Sequence, residues 1–590
     1  MKLTFDIESD GLLHQLTKIH CIGHYDLDER SGVVSLAHTD QDIEECVRML
    51  QDADEIIGHN IIAFDIPALQ KVYPWFKPTG KITDTLVISR LVAADLINDD
   101  ATSVSLPEDF PKRLWGSHSL KAWGLRMGTM KGDYDGGWEE CNQAMLDYCI
   151  QDVNVTSALY SFLMVKAADF SERSIDLEHE LAEICFRIGN NGWTFDRDGA
   201  NDLYAELAKL RIQLEKDLHE LFEPWEVHQD FIPKVNNKAR GYVKGELITK
   251  VTVVEFNPNS RKHIHRCLVD KYGWKPKQFT PSGEAKVDEQ VLSQLPYPEA
   301  QKLAKFFLVQ KRIAQLAEGS QAWMKKVDSD GKIRHTIISG GTVSGRAAHR
   351  SPNAANVPST RAAFGKQCRD LWTVPKGWTL CGADLSGLEL RCLAHYLEDD
   401  GEYAKQILES DIHTFNQEAA GLETRDEAKR FIYSVLFGGG DKLIGEIVGG
   451  TAKDGKRLKA AFDKNVPAFA RLKQELQQAF KRGYLKGLDG RKLFVRSEHR
   501  CLSQLLQSSG AVLCKQWLAM IDKEITKQGL EAYIVGWVHD EVQIACKTKE
   551  IANDVGNITR RMAQEAGEAF QFNLPIDAEF NLGKTWSDTH

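Results

Sequence analysis

Residues 378–397 read WTLCGADLSGLELRCLAHYL, and this stretch decides the fold. An apolar run ending at Asp384 predicts a strand, and the residues after it predict a helix. Far along the chain, IVGWVHDEVQIAC at 534–546 predicts two strands joined at His539 and Asp540. An acid at a strand end and an acid at a hairpin tip are well placed to hold metals above a sheet. Neither acid is diagnostic alone, but together they predict a two-metal pair.

The segment between these two acids contains a helix with a chemically graded face. Four side chains recur at every fourth position of TRDEAKRFIYSVLFGGG and share that face: Arg425, Lys429, Tyr433 and Phe437. The face starts cationic and ends aromatic, which matches a nucleoside triphosphate with its phosphates at one end and its base at the other. Taken alone, the pattern also fits two solvated cations followed by two core aromatics.

A second set of acids lies near the amino terminus. Asp6 and Glu8 are two apart in an alternating run, Leu3–Glu8, which predicts a half-buried strand with both carboxylates on one face. Carboxylates held so close repel each other unless a cation lies between them. Oxygen ligands of this kind suit Mg²⁺ or Mn²⁺. The alternative interpretation is a solvated polar face.

Two later segments carry acids that fit the same site. Asp65 precedes Pro67 in a probable first helical turn, where its alternative role is a helix N-cap. Tyr148 and Asp152 in DYCIQD lie one helical turn apart and point the same way. Their alternative role is an ordinary helix surface.

Composition limits the class of protein. The 590 residues are 42% hydrophobic and 27% charged, which excludes a mainly disordered or fibrous chain and predicts about four domains. The net charge of −10 does not by itself indicate a nucleic-acid binder. The twelve cysteines are scattered singly, as in reduced intracellular proteins. We find no signal peptide or membrane-length apolar run, so we expect a cytoplasmic protein.

Periodicity gives a coarse map of the chain. Alternating strand and helix runs predict an α/β domain at the amino terminus, followed by long helices from Asp176 to about Met324 and by strands from Ile333 onward. A polar, Lys-rich stretch at 225–250 predicts an exposed excursion. The further helices that we predict are 144–165, 200–222, 428–435, 457–482 and 502–528.

The amino-terminal acids and Tyr148 together resemble the three exonuclease motifs of the DEDD superfamily, in the variant with tyrosine in the third motif. The rest of the chain resembles the family A DNA polymerases (the DNA polymerase I family). Asp384 matches motif A, the 424–440 helix motif B, and the His539 hairpin motif C. The further matches are VSGRAAHRSPNAANVP, GLDGRK and LLQSSGA. Within the family, DIHTFNQEAA, GKQCR and KGLDGRKLFVRS are most similar to the replicative polymerase of T-seven-like bacteriophages.

This resemblance implies a multi-domain α/β and α+β fold. An RNase H-like 3′–5′ exonuclease domain would be followed by a right-hand polymerase of palm, thumb and fingers. The implied boundaries are exonuclease 1–166, thumb 176–325, palm 326–396 and 503–590, and fingers 397–502.

The resemblance also implies a DNA-directed DNA polymerase of phage DNA replication, which adds dNMP from dNTP substrates to a primer 3′-OH and proofreads. Each active site would hold two Mg²⁺, with Mn²⁺ able to substitute. At the polymerase site, Asp384 and Asp540 would hold the metals. Arg425, Lys429 and His413 would clamp the phosphates, Lys429 would protonate pyrophosphate, and Tyr433 would contact the nucleoside.

Glu389 has two interpretations. By resemblance it is the steric gate that excludes a ribose 2′-OH. Ser386 and Glu389 also form a capping-box pattern, which is a purely structural role.

At the exonuclease site, the resemblance assigns the metals to four acids, and Tyr148 would orient the attacking water. These acids are Asp6, Glu8, Asp65 and Asp152. His59 and Asn60, beside the second motif, would support the site or serve the local structure alone.

DNA contacts are also implied by the resemblance. Arg346 and Gln507 would reach minor-groove acceptors near the primer terminus, and His539 would contact DNA beside them. The alternative for Gln507 is a buried amide bonded to backbone. In the thumb, 256–263 and 310–312 would touch phosphates.

The implied partners are primer-template DNA and, as candidates, a replicative helicase-primase or a single-stranded-DNA-binding protein. The phage relative binds thioredoxin through a long thumb insertion. The corresponding stretch here, 225–254, is much shorter, which argues against a thioredoxin-type processivity factor. Phe437 replaces the usual tyrosine of motif B, so fidelity details do not transfer.

Three other functions compete with this interpretation. The first is an exonuclease with an appended binding region, but motifs A, B and C argue against it. A single-subunit RNA polymerase shares the palm chemistry, but Glu389 and the proofreading motifs argue against it. A non-catalytic DNA-binding protein would have no use for so many well-placed acids.

Overall fold

The computed structural model describes residues 1–29, 32–103, 106–129 and 132–590. The chain forms two compact units. The first unit contains Met1–Thr194, Arg334–Val357 and Trp372–His590, and the second contains Phe195–Ile333 and Pro358–Leu371.

The strands are short, and most of them pair with the strand that precedes or follows them in the chain. In chain order they are β1 (Lys2–Ser9), β2 (Ile19–Asp26), β3 (Ser35–Ala37), β4 (Glu55–Gly58), β5 (Lys81–Asp84), β6 (Trp193–Phe195), β7 (Trp225–Phe231), β8 (Ile248–Val254), β9 (Lys332–Ile333), β10 (Thr336–Ile338), β11 (Ala348–Arg350), β12 (Trp372–Thr373), β13 (Thr379–Leu385), β14 (Leu485–Lys486), β15 (Lys492–Leu493), β16 (Ala532–Val538), β17 (Glu541–Cys546) and β18 (Ala578–Gly583).

The α-helices make up most of the remaining structure. In chain order they are α1 (Asp40–Asp52), α2 (Asp65–Val72), α3 (Thr85–Val92), α4 (Leu96–Thr102), α5 (Leu120–Met127), α6 (Gln143–Ala167), α7 (Glu172–Asn191), α8 (Arg197–Leu221), α9 (Arg261–Tyr272), α10 (Glu289–Ser293), α11 (Pro298–Ile313), α12 (Gly365–Asp370), α13 (Leu388–Tyr396), α14 (Glu402–Glu409), α15 (Ile412–Ala420), α16 (Arg425–Leu436), α17 (Asp441–Ile447), α18 (Ala452–Asn465), α19 (Pro467–Lys481), α20 (Cys501–Lys527) and α21 (Lys549–Ala569).

The amino-terminal sheet of the first unit has the order β3-β2-β1-β4-β5, with β1 parallel to β4 and antiparallel to β2. The prediction that β1 is half-buried is wrong, because Thr4 and Glu8 are buried along with the apolar residues. The physical reason is the position of β1 at the centre of the sheet, where α6 covers the face that carries the polar side chains. The Glu8 carboxylate therefore lies inside the protein, whereas Asp6 is half-buried.

A second sheet of the first unit has the order β16-β17-β13-β18, with antiparallel pairing between neighbours. Strands β16 and β17 form the predicted hairpin, and β13 is the predicted strand that reaches Asp384. The register places Asp384 directly opposite Glu541. The end of β13 and the tip of the hairpin therefore meet at one edge of the sheet.

The predicted helix over 457–482 is wrong, because the chain forms two helices there, α18 and α19. The break falls at Val466, and Pro467 is the first residue of α19. Proline lacks the N–H that would continue α18, and its ring forces the preceding residue out of the helical conformation. The other predicted helices are present, with ends shifted by a few residues.

The second unit is mainly helical and carries a two-stranded hairpin, β7 and β8. Side chains on this hairpin are mostly exposed, among them Val227 and Val253, so the predicted exposed excursion is confirmed. All twelve cysteines of the chain are free thiols. Within the described ranges, every helix is too short or too polar to cross a lipid bilayer.

Candidate active sites

The first candidate site lies at the centre of the amino-terminal sheet. Asp6 and Glu8 of β1 and Cys149 of α6 place one potential ligand atom each within 4.8 Å of one another. The two carboxylates therefore lie on one face, as predicted from their spacing. The solvated alternative is wrong for Glu8, which is 5% exposed.

Asp65 joins this site from the first position of α2. The backbone N–H of Ile7, which lies between the two strand acids, donates to the Asp65 carboxylate. Burial raises the pKa of Asp65 to about 7, and the charges of Asp84 and Asp152 add to the effect. A buried carboxylate among like charges is the environment that a divalent cation stabilises.

The helix α6 supplies the third motif. Asp152 is 3% exposed, so the ordinary-surface alternative is wrong for it. Tyr148 lies one turn earlier, half-buried, with its ring 5.8 Å from that of Tyr134. Strand β1 and helices α2 and α6 thus bring together the acids that the sequence predicted.

Cys149 was not predicted to lie in this site. Its hydrogen bond with Cys21 and its burial hold the pKa of the Cys149 thiol above its usual range. A protonated thiol is a poor metal ligand. The effective donor set is therefore carboxylate oxygen, which fits Mg²⁺ or Mn²⁺.

Asp84 is a further residue that sequence reasoning missed. Its carboxylate caps α3 and accepts from the backbone N–H groups of Asn60, Ile62 and Leu86 at 2.8, 3.2 and 2.9 Å. His59 Nδ1 lies 2.9 Å from Thr85 Oγ1. These contacts hold the loop that leads into α2. The available signal was an acid between a strand and a helix, in KITDTLV.

The second candidate site lies at the meeting point of β13 and the β16–β17 hairpin. The backbone N–H of Leu385 donates to the carbonyl of Asp540 at 3.1 Å, which ties the hairpin tip to the end of β13. His539 has φ of 59°, a left-handed conformation that turns the tip tightly. The two acids predicted as a pair therefore come together.

The electrostatics of this pair resemble those of the first site. Burial, together with the nearby charges of Asp540 and Glu541, raises the pKa of Asp384 to about 7. Burial also raises the pKa of Asp540. Oδ1 of Asp384 is buried without a hydrogen-bond partner among the described residues. A buried carboxylate oxygen with free lone pairs, beside a second carboxylate, fits a divalent cation.

Glu541 has a different role from its neighbour Asp540. Its carboxylate accepts from the indole N–H of Trp586 and from Gln543 Nε2, and it lies 3.1 Å from His590 Nδ1. These partners hold Glu541 inside the fold and attach the carboxyl-terminal residues to the sheet. The sequence offered no signal for this anchor, because Trp586 and His590 are distant from Glu541 along the chain.

Helix α16 presents the graded face that its spacing predicted. Arg425, near its start, forms a two-point ion pair with Asp411 at 2.5 and 3.0 Å. Burial raises the pKa of the Tyr433 phenol, and the charges of Glu389 and Asp540 contribute. Tyr433 therefore lies near the carboxylates of Glu389 and Asp540, and the Phe437 ring lies nearly parallel to it at 6.3 Å.

His413 lies on the neighbouring helix α15 with its ring 6.3 Å from that of Tyr433. Lys429 occupies the α16 turn between Arg425 and Tyr433. The cationic part of the α16 face and His413 thus lie beside one another.

Glu389 lies in the first turn of α13, with Oε1 3.6 Å from Nη2 of Arg346. The capping box is not formed, because Gly387, with φ of 59°, is the N-cap and no side chain caps the helix. Glu389 and Arg346 instead line a small cavity of about 130 Å³, together with His539 and Asp540. Glu389 is therefore free of a capping role and faces the site.

The loop that carries Arg346 is held from α20. Gln504 Nε2 donates to the backbone carbonyl of Val343 at 2.8 Å. Gln504 lies one turn before Gln507, the residue for which we considered such a backbone hydrogen bond. Gln507 is half-buried on the same helix. Gly345, with φ of 79°, leaves room for the Arg491 guanidinium, which a β-carbon would meet at 2.8 Å.

Comparison with known proteins agrees with this architecture. The model of DNA polymerase family A matches residues 234–588, and the model of the RNase H superfamily matches residues 3–91. The chain belongs to DNA polymerase family A, and it carries an RNase H-like, exonuclease-type domain at its amino terminus. The family and fold class predicted from the sequence are confirmed.

Two phage proteins and one solved structure show which DNA polymerases this chain is similar to. The DNA-directed DNA polymerase of Enterobacteria phage T3 is 36% identical and that of Escherichia phage T7 is 35% identical, each over 99% or more of both chains. A solved structure of the Pol1 polymerase domain from M. smegmatis, in complex with DNA primer-template and dNTP, has a TM-score of 0.76 at 18% identity. It covers 99% of this chain and 96% of its own. The chain is thus a DNA polymerase similar to those of T7-like phages.

Proposed function

We propose that the protein extends a primer at Asp384 and Asp540 and removes 3′ nucleotides at Asp6, Glu8 and the acids beside them. The observation that carries this proposal is the pair of separate carboxylate clusters, each with an acid whose pKa is raised to about 7. Bound Mg²⁺, two ions per site with Mn²⁺ as a substitute, would activate the attacking oxygen and neutralise the departing one.

At the polymerase site, the primer 3′-oxygen attacks the α-phosphorus of a dNTP, and the bond to pyrophosphate breaks. Arg425 and Lys429 hold the triphosphate through charge-assisted hydrogen bonds. His413 holds it beside them. Lys429 gives a proton to the departing pyrophosphate. Tyr433 packs on the nucleoside, and Glu389 occupies the space that a ribose 2′-OH needs.

Contacts with the primer terminus come from three side chains of the palm. Arg346 and Gln507 donate to minor-groove acceptors, which are similar for every base pair and so report pair shape. His539, at the hairpin tip, contacts DNA beside Asp540. The support for this set is that Arg346 and His539 line one cavity with Asp540.

At the exonuclease site, water attacks the terminal phosphodiester and the 3′-oxygen of the penultimate nucleotide leaves. Asp6, Glu8, Asp65 and Asp152 would hold the metals, and Tyr148 orients the water. The protonated thiol of Cys149 leaves the metals to the oxygen ligands.

The domains that we propose are exonuclease 1–166, thumb 176–325, palm 326–396 and 503–590, and fingers 397–502. The thumb would bind duplex phosphates through 256–263 and 310–312. Primer-template DNA is the partner, in the replication of phage DNA in a host cytoplasm, with a helicase-primase or single-stranded-DNA-binding protein as further candidates. The short hairpin at 225–254 argues against a thioredoxin-type factor.

One primer-template assay tests both activities. With dNTPs and Mg²⁺ the labelled primer lengthens, and without dNTPs it shortens from its 3′ end. Asp384→Ala abolishes lengthening and keeps shortening, whereas Asp6→Ala does the reverse, so each variant is the control for the other. Retained synthesis in Asp384→Ala, or retained shortening in Asp6→Ala, contradicts the corresponding assignment.

A further inference from the structure

The segment 132–142 lies beside the tyrosine of the third exonuclease motif. A β-carbon on Gly132 would lie 3.8 Å from Cδ2 of Tyr148, so the backbone of the segment passes close to this ring. Tyr134 packs on the same ring, with the two centroids 5.8 Å apart and the ring planes inclined by 41°. A tilted contact between two aromatic rings is a favourable and directional interaction. The segment therefore supplies a side chain that contacts Tyr148 from outside the three motifs.

Two hydrogen bonds fix the Tyr134 ring. Its hydroxyl donates to the carbonyl of Gly137 at 2.7 Å and accepts from Nδ2 of Asn142 at 2.8 Å. Asn142 is the N-cap of α6, and its Oδ1 accepts from the backbone N–H of Met145 at 3.0 Å. The amide of Asn142 therefore joins Tyr134 to the first turn of the helix that carries Tyr148.

Further contacts hold the segment on both sides of Tyr134. The ring of Trp138 lies edge-on to Tyr134 at 5.0 Å, and the Trp138 carbonyl accepts from Nε2 of His20, a buried residue of β2, at 2.8 Å. On the other side, Asp133 pairs with Lys121 of α5. The segment forms neither helix nor strand, so these side-chain contacts are what restrict its conformations.

We propose that Tyr134 is a positioning residue for the exonuclease reaction, which holds the Tyr148 ring in the orientation in which its hydroxyl aligns the attacking water. A half-buried tyrosine on a helix can adopt more than one rotamer, and a group that aligns a reactant is effective only in one of them. Packing against a second ring, itself bonded to the start of α6, selects that rotamer. The inference rests on the exonuclease activity proposed above, and it adds a residue that acts only through Tyr148.

Single-turnover excision from a mismatched primer end, with Mg²⁺ and without dNTPs, tests this role. Tyr134→Ala lowers the rate constant at saturating protein about fivefold, because the water is misaligned, and leaves the half-saturating protein concentration within about twofold. Tyr134→Phe keeps the ring and retains most of the rate. Tyr160→Ala is the same truncation at a half-buried position further along α6, and it is the matched control. An unchanged rate in Tyr134→Ala, or an equal loss in Tyr134→Phe or Tyr160→Ala, overturns the proposal.

A double-mutant cycle separates this role from an effect on folding. Tyr148→Phe removes the hydroxyl that aligns the water, so Tyr134→Ala causes little further loss of excision in that background. Losses that multiply in the double variant overturn the proposal, since they show that Tyr134 acts on folding or on another group.

A signal from Tyr148 itself tests the contact without catalysis. In protein labelled with fluorotyrosine, the fluorine NMR resonance that is missing in Tyr148→Phe belongs to Tyr148. Tyr134→Ala broadens or splits this resonance as the ring gains a second rotamer, whereas Tyr160→Ala leaves it sharp. A single, equally sharp Tyr148 resonance in Tyr134→Ala overturns the proposal. A wild-type protein that excises nothing, or a Tyr148→Phe variant that excises normally, contradicts the proposed function instead, and the resonance still decides whether Tyr134 holds Tyr148.

Discussion

At the scale of single residues, we propose that Glu389 selects between deoxyribose and ribose. Its carboxylate lies in the first turn of α13, does not cap the helix, and lines the same cavity as Arg346 and Asp540. A nucleotide bound beside Asp540 would therefore meet both the bulk and the charge of this carboxylate.

We expect Glu389→Ala to raise ribonucleotide insertion about tenfold or more, because the space for a 2′-OH opens. The measurement is the ratio of kcat/KM for dNTP and rNTP in single-nucleotide primer extension. Glu402→Ala, an exposed glutamate on α14, is the control. If Glu389 serves only to hold Arg346, extension slows for both nucleotides and their ratio stays constant, which contradicts the gate.

Tyr433 gives a second prediction at this scale. Its phenol faces Glu389 and Asp540, so its hydroxyl can offer a hydrogen bond where a nucleotide lacks its 3′-OH. We expect ready incorporation of dideoxynucleotides and about a tenfold loss of it in Tyr433→Phe. Primer extension with mixed ddNTP and dNTP measures the ratio, with Tyr484→Phe, an exposed tyrosine, alongside. Equal discrimination by wild type and Tyr433→Phe refutes the role.

At the scale of elements, a buried ionic cluster joins α7, α20 and the turn before β15. Glu178 pairs with Lys515 and with Arg491, the latter at 2.9 Å, and Arg491 also pairs with Asp489. Burial alone would raise the pKa of Glu178, but the charges of Lys515 and Arg491 outweigh it and lower the pKa to about 2. Removing one partner leaves an uncompensated buried charge.

Glu178→Gln should therefore lower the free energy of unfolding by about 3 kcal/mol at pH 7. The matched control is Glu180→Gln on the same helix, whose exposed pair with Lys523 contributes under about 1 kcal/mol. Because the folded pKa lies below the unfolded one, the contribution is complete above about pH 4.5 and is lost as the pH falls toward 2. Denaturant unfolding of the three proteins across this range checks both points, and equal stability at pH 7 would count against the cluster.

The crossing of α17 and α18 depends on two glycines. A β-carbon on Gly455 would lie 1.9 Å from the carbonyl oxygen of Asp441, and one on Gly445 would lie 1.8 Å from that of Thr451. The helices approach this closely only because neither residue has a side chain.

We expect Gly455→Ala to destabilise the protein by about 1–3 kcal/mol through overpacking and to speed hydrogen exchange in α17. Gly440→Ala adds the same methyl group at the start of α17 with no atom within 4 Å, so it should have a small effect. Equal exchange rates in the two variants would show that the close crossing is not needed.

At the scale of the whole molecule, the net charge of −10 does not describe how the acidic and basic side chains are distributed. Acids cluster around Asp6 and around Asp384, whereas Arg425 and Lys429 place cations on one face of α16. Binding of phosphates depends on these local fields, so an acidic total is compatible with a protein that acts on DNA.

Metal binding should be visible in the stability of the entire chain. Mg²⁺ added to metal-free protein relieves the repulsion between buried carboxylates and raises the Tm in a concentration-dependent manner. The combined variant Asp6→Ala and Asp384→Ala loses most of this rise. Thermal unfolding with and without Mg²⁺ measures it, and an equal rise in both proteins would place the bound metal elsewhere.

Much of the fold could be predicted from the sequence, because strands, hairpins and helices have characteristic local periodicities. The spacing of Asp6 and Glu8 predicted a shared face, and IVGWVHDEVQIAC predicted a hairpin with Asp540 at its tip. Pro467 is a sequence signal for the break between α18 and α19. We missed it because the helical pattern continues on both sides.

The sequence by itself therefore determined the family, the two carboxylate sets and the order of the elements that carry them. Tertiary structure alone decided that β1 is buried on both faces, that Asp84 organises the loop beside Asp65, and that Glu541 serves as an anchor for Trp586. The physical reason is that burial, pKa and pairing depend on neighbours distant in sequence, which local periodicity does not encode.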